Sequence, residues 1–358
     1  HIPKIRRVFM IKPLQSLRFI AITGVFLSHL FTVQNTYPVF FENYFNFGYC
    51  GVTFFILLSG FVMAYNYFDK FEYANMKTSI LFCKKRLKKI YPVHIITLLI
   101  ALPLAYKTII NSPVDQLLKL LINASLIQSF IPKVSIYFSF NAVSWFLSVS
   151  FFFYILTPYL LQYAHAIKTK RIIFLLILFI YVIEIFLVFL GRNNVHSHWL
   201  FYISPFFRLF DYTIGILIGL FIKKLSTEND KKIKCRLFTL LEAVSIVTFI
   251  IIYLFSPKIP KVATYGIYYI PVMLLLIIIF SIQQGYISKL LSNRLLVYLG
   301  GISFEFYMIH QLILTYITHF TKQNHPILIS VICYVFSLVS AIGMNKAINI
   351  LHEKIRKI

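Results

Sequence analysis

Apolar runs of about twenty residues, each ended by a short polar or basic segment, recur along the whole chain, and no other feature restricts its fold as much. At a rise of about 1.5 Å per residue, a helix of that length crosses the roughly 30 Å hydrocarbon core of a bilayer. A soluble fold cannot cover so much apolar surface. Of 358 residues, 59% are hydrophobic and 13% charged, with mean hydropathy +0.80, against roughly 25% charged in an average soluble domain. The fold class this implies is all-α, a polytopic integral membrane protein.

Setting the apolar blocks against their flanks predicts about ten transmembrane helices, at 14–33, 48–68, 90–110, 143–164, 172–190, 203–222, 237–255, 264–284, 299–320 and 326–349. A further block, Leu117 to Ile131, is short for a crossing and has the length of an interfacial or re-entrant helix. Charge decides its placement. If it does not cross, the basic segments Lys70–Lys89, Lys168–Arg171, Lys223–Arg236, Lys289–Arg294 and Lys354–Lys357 all fall on the side of the N-terminus. The positive-inside rule then makes both termini cytoplasmic. Residues 1–13 form a cytoplasmic N-terminal segment, with 1–9 expected to lie upstream of a natural start at Met10. Residues 14–349 are one membrane domain, whose first span is a signal anchor, and 350–358 a cytoplasmic tail.

Because the basic residues gather at the ends of apolar blocks, the net charge of +24 reads as topology, and nucleic acid is not an expected partner. Cys50, Cys83, Cys235 and Cys333 are far apart and lack metal-ligand spacing, so neither a disulfide nor a metal is expected. The longest external segment, roughly 111–142, is a place where an extracytoplasmic substrate could be gripped, or simply a loop.

Ionisable side chains inside lipid are costly, so each needs a partner, a water-filled cavity or a chemical task. Arg18 and His29 are eleven residues apart, about three turns, so they share a helix face roughly 16 Å apart along the axis. Ser303, Tyr307 and His310 lie on one face of the ninth span, with Glu305 on another, and His310 reaches a depth similar to that of His29. The bland alternatives are an Arg18 that snorkels to headgroups and a His29 bonded to a neighbouring helix. In FCKKRLKKIYPVH, Arg86 and Lys89 can face the same way and grip phosphates near Pro92, at the start of a helix, or the run can be a stop-transfer cluster. Arg208 and Asp211, three apart, suit a polar acceptor or a structural ion pair, and Glu184 is an isolated carboxylate with no evident partner.

These motifs resemble the bacterial membrane acyltransferase type 3 family, whose members include O-acetyltransferases of lipopolysaccharide O-antigen and other surface polysaccharides. The resemblance rests on LRFIAITGVFLSHL with Arg18 and His29, GVTFFILLSGF at 51–61, RLKKIYP at 86–92, SWFLSVSFFFYILTP at 144–158, SPFFRLFDYTIGILIG at 204–219 and GGISFEFYMIH at 300–310, in the family's order. It implies transfer from cytoplasmic acyl-CoA, most often acetyl-CoA, to a surface or lipid-linked glycan in the bacterial cytoplasmic (inner) membrane, with no bound cofactor. It also implies that the Arg18 and His29 pair is required and that the basic motif serves the donor. Where many relatives carry a Glu after the tryptophan-containing segment, this chain has Ser150 and Phe151. The C-terminal hydrolase-like domain of some relatives is not found in these residues, so the membrane domain is expected to act alone or with a partner.

His29 is then the expected general base or acyl carrier, with His310 or Tyr307 orienting it or the substrate. Two other classes fit a polytopic chain with intramembrane charges: a transporter or flippase for a glycan or other polar substrate, and an inactive glycan-binding relative.

Overall fold

In the computed structural model, residues 10–33, 48–226, 235–320 and 326–357 are described, and among them every regular element is a helix. The principal helices are α1 (Lys12–Val33), α2 (Gly48–Tyr67), α3 (Met76–Ala101), α4 (Pro113–Ala124), α5 (Trp145–Ala164) and α6 (Lys170–Gly191), followed by α7 (Pro205–Ser226), α8 (Cys235–Phe255), α9 (Ile270–Ser281), α10 (Arg294–Gly301), α11 (Ser303–Phe320) and α12 (Pro326–Lys357). Seven spans among the described residues have the length and apolar character to cross a membrane, and the bent pair α10 and α11 makes an eighth. The chain is thus an all-α polytopic membrane protein.

Three expected spans differ in detail. The one placed at 90–110 begins at Met76, because Asn75 and Thr78 form a reciprocal capping box that starts α3 ahead of the basic run. Pro92 therefore lies inside the helix rather than near its start. The span placed at 264–284 contains only the 12-residue α9, roughly 18 Å long. Pro271 stands in its first turn, and Gln283, at φ 60°, turns the chain after its end. The ninth span bends by 62° between Gly301 and Ser303. There Gly300 presses on α1 so closely that a β-carbon would meet the Gln15 carbonyl oxygen.

Contacts sort the helix ends into two groups. At one end Lys223 pairs with Asp69 at 2.5 Å, Lys224 donates to the carbonyls of Ile167 and Lys168, and the Ala74 amide donates to Gln162. At the other, Tyr49, Trp145, Tyr202 and Tyr265 pack ring against ring. So α2, α5 and α7 run one way and α3 the other. The segment between α3 and α5 starts and finishes at the aromatic end, which agrees with α4 not crossing. Its apolar residues Val114, Leu117, Leu118 and Leu121 are exposed, as suits an interfacial helix.

The centre is held by α2 against α7. Gly60 lies on the Tyr212 carbonyl and Gly215 on that of Leu57, an approach that a side chain would prevent. Exposed apolar side chains line α6, α8 and α12, the faces turned to lipid.

Candidate active site

Helices α1 and α11 pack together, and their facing histidines meet. His29 Nδ1 lies 2.7 Å from His310 Nε2, with the rings 8° from parallel. The other nitrogen of His310, Nδ1, is 2.6 Å from the Tyr307 carbonyl and 3.2 Å from that of Phe306, so it carries a proton and donates it. His310 Nε2 then presents a lone pair, and His29 Nδ1 supplies the proton between the rings. In the neutral imidazole this leaves the lone pair of His29 on Nε2. His310 is fully buried and His29 partly exposed. Of the two residues expected to orient His29, the one that touches it is His310. The Tyr307 hydroxyl donates to the Val143 carbonyl at 2.9 Å and ties α11 to the start of α5.

A group of cations lies on the same side of α1. Arg18 lines a cleft walled by Phe55, Phe146 and Phe304 and edged by Ser303 and Tyr307, and its guanidinium is 3.4 Å from Gln15 Oε1. Arg86 lies 4.5 Å over the Tyr67 ring, with Met63 Sδ 3.2 Å away. Lys89 is close enough to Arg18, Arg86 and Glu305 to feel all three charges, and Arg18 and Arg86 both act on Tyr154. Arg18 of α1 and Lys89 of α3 thus share the influence of one carboxylate on α11, with Arg86 acting on Lys89. That carboxylate, Glu305, already accepts from Asn345 at 2.7 Å. An anionic ligand would relieve the repulsion.

Arg208 and Asp211 lie apart from this site. They form a buried ion pair at 2.5 Å, and Arg208 also donates from Nε to the Tyr202 carbonyl and from Nη2 to the Tyr265 carbonyl. Glu184 faces Asp211, carboxyl to carboxyl. Ser150, the departure from the family pattern, donates to the Phe146 carbonyl of its own helix.

Two features escape sequence reasoning. Buried Glu242 of α8 accepts from the amides of Gly285, Ile287 and Ser288 and from the Ser288 hydroxyl, capping the short helix Tyr286–Leu291. Buried His94 of α3 donates from Nε2 to the Asn123 carbonyl at 2.9 Å, anchoring the end of α4. An isolated Glu in an apolar run and a His after a basic run carry no local sign of partners supplied by distant backbone. Among the described residues no cluster of three or more His, Cys, Asp or Glu could hold a metal ion.

The chain is 27% identical over 329 residues to Acyltransferase MdmB of Streptomyces mycarofaciens, covering 87% of this chain and 80% of that protein. No solved structure matches it. Residues 12–346 match the family model of the acyltransferase domain, a span that takes in Arg18, His29, Arg86, Lys89 and His310, and the chain therefore belongs to the acyltransferase type 3 family of membrane acyltransferases.

Proposed function

We propose that the protein is an O-acyltransferase of the bacterial cytoplasmic membrane that moves an acetyl group from cytoplasmic acetyl-CoA to a hydroxyl of a surface polysaccharide such as O-antigen. The observation that carries this reading is the imidazole pair of defined protonation, set along α1 from a cluster of cations. On this reading the chain has ten spans with both termini cytoplasmic: an even number returns the C-terminus to the side of the N-terminus, and the positive-inside rule favours the cytoplasm for that side. The end that gathers Lys168, Lys223 and Lys224 is then cytoplasmic, and the aromatic end faces outward.

Arg18, Arg86 and Lys89 hold the phosphates of the donor, whose pantetheine arm carries the thioester toward the histidines. His29 Nε2 takes the proton of the acceptor hydroxyl as its oxygen attacks the thioester carbonyl. The carbon–sulfur bond breaks, the new ester forms, and the proton on His29 passes to the departing thiolate. His310 Nε2 accepts from His29 Nδ1 throughout, which fixes the ring and stabilises its transient positive charge.

The test compares the surface polysaccharide with and without the gene. Its loss should leave the polymer present and lacking base-labile acetyl groups. Loss of the polymer from the surface would point instead to a flippase, and unchanged acetyl content to an inactive binding relative.

A further inference from the structure

The cleft beside Arg18 runs along α1 toward the imidazole pair. Gly300 on Gln15 puts the starts of α1 and α11 at one end of the bundle, and Gly48 against Ser28 puts the start of α2 beside the end of α1. Arg18 and Ser303 therefore line the cleft from nearer one end, while Val52 and Phe146, in the first turns of α2 and α5, line it from the other. At that deeper end Phe146 packs edge-on against Tyr307 with ring centroids 5.7 Å apart, and the Tyr307 ring lies 5.9 Å from that of His310. The cleft thus leads from the Arg18 side chain to within one ring of the imidazole pair.

Its walls are almost wholly apolar. Val52, Phe146 and two further phenylalanines supply most of the surface, and the hydroxyls present are already engaged. Ser303 donates to the Gly300 carbonyl at 2.8 Å and Tyr307 to the Val143 carbonyl at 2.9 Å. Arg18 is the one charged residue of the lining, and it stands eleven residues from His29, about 16 Å along the axis. A sugar drawn through such a passage would shed its water without finding new partners. The arm of an acyl-CoA, slender and rich in methylene and methyl groups, suits it better, and its phosphates stay behind at the cations. A carboxylate at the tip of the acyl group would have to pass the same walls and come to rest with Arg18 out of reach, which is costly for an unpaired charge.

We propose that this cleft is the passage for the acyl-pantetheine arm, and that its walls admit uncharged acyl groups and turn away those ending in a carboxylate, such as succinyl. This rests on the acyltransfer reading above. Phe146 is the residue to probe, because it is half-buried at the deeper end of the cleft and lies apart from the cations that hold the phosphates.

Binding separates the arm from the phosphates whatever the acceptor is. Purified protein in lipid nanodiscs is titrated with acetyl-CoA, butyryl-CoA, succinyl-CoA and a coenzyme A fragment that ends at the diphosphate. Acetyl-CoA and butyryl-CoA should bind about tenfold more tightly than the fragment, because their arms bury apolar surface. Succinyl-CoA, similar in length to butyryl-CoA, should bind no more tightly than the fragment. Phe146→Ala should weaken acetyl-CoA about tenfold and leave the affinity for the fragment unchanged. Phe146→Leu should weaken acetyl-CoA by less, and it carries the test if the alanine variant does not fold.

If the variants bind acetyl-CoA as the wild type does, or weaken acetyl-CoA and the fragment alike, the arm does not pass Phe146, and the inference falls while the proposed reaction stands. Succinyl-CoA bound as tightly as butyryl-CoA, or butyryl-CoA as weakly as succinyl-CoA, overturns the selection by charge. A wild-type protein that binds neither acetyl-CoA nor the fragment overturns the donor reading itself.

Discussion

The Nε2 atom of His310 accepts the Nδ1 proton of His29 across 2.7 Å, while the proton on His310 itself is held by the Tyr307 carbonyl at 2.6 Å. This is a one-way chain of donors, from His29 to His310 to backbone. It can be broken separately at either residue.

His29→Ala should insert, accumulate near the wild-type level and bind acetyl-CoA, yet lose about 10²- to 10⁴-fold of the transfer rate, the usual worth of a general base. His310→Ala should retain more, because it removes the group that orients the base and leaves the base in place. Labelled acetyl transfer in nanodiscs measures both. Wild-type transfer by His29→Ala would end the mechanism.

Replacing Arg86 and Lys89 together by Gln should raise the KM for acetyl-CoA at least tenfold, since charge-assisted bonds to phosphate are worth about 1.5–3 kcal/mol each. Arg18→Gln should act in the same direction, because its charge reaches Lys89. If the double variant inserts correctly and binds acetyl-CoA as the wild type does, the basic run is only a topology signal.

The buried Arg208–Asp211 pair predicts a stability effect. Arg208→Ala strands Asp211 beside Glu184 and should cost about 3–5 kcal/mol, seen as a lower apparent melting temperature. Arg208→Met combined with Asp211→Leu should recover much of that loss. A stable Arg208→Ala protein with impaired transfer would instead make the arginine part of the substrate site.

How far these relationships could be read in advance depends on whether their partners are local. Arg18 and His29 share a face through helix geometry alone, and the common depth of His29 and His310 follows from counting residues inward from the basic ends. Helix α3 starts fourteen residues before the expected span because KKRLKK is good helix-forming sequence that hydropathy cannot register. Glu242 looked like nothing because its partners are backbone amides of residues 285–288. His94 stayed hidden for the same reason: its partner, the Asn123 carbonyl, comes from a segment folding back, which no period along the chain encodes.

The last prediction concerns sidedness, on which the separation of donor and acceptor depends. Helices α2, α5 and α7 run in one direction, and the 102–144 segment leaves and re-enters the bundle at its aromatic end, so that segment adds no crossing. Parity then places the basic segments around Cys83 and Cys235 on one side of the membrane, with Lys258 and the region near Asn193 on the other. A reporter active only outside the cytoplasm should be active when inserted after Asn193 and silent in the 227–234 segment. If the block between Leu117 and Ile131 crossed, every later connection would change sides, and Lys168, Lys170 and Arg171 would lie outside, against the positive-inside rule. A cytoplasmic reporter signal after Asn193 would therefore reverse the outer half of the bundle.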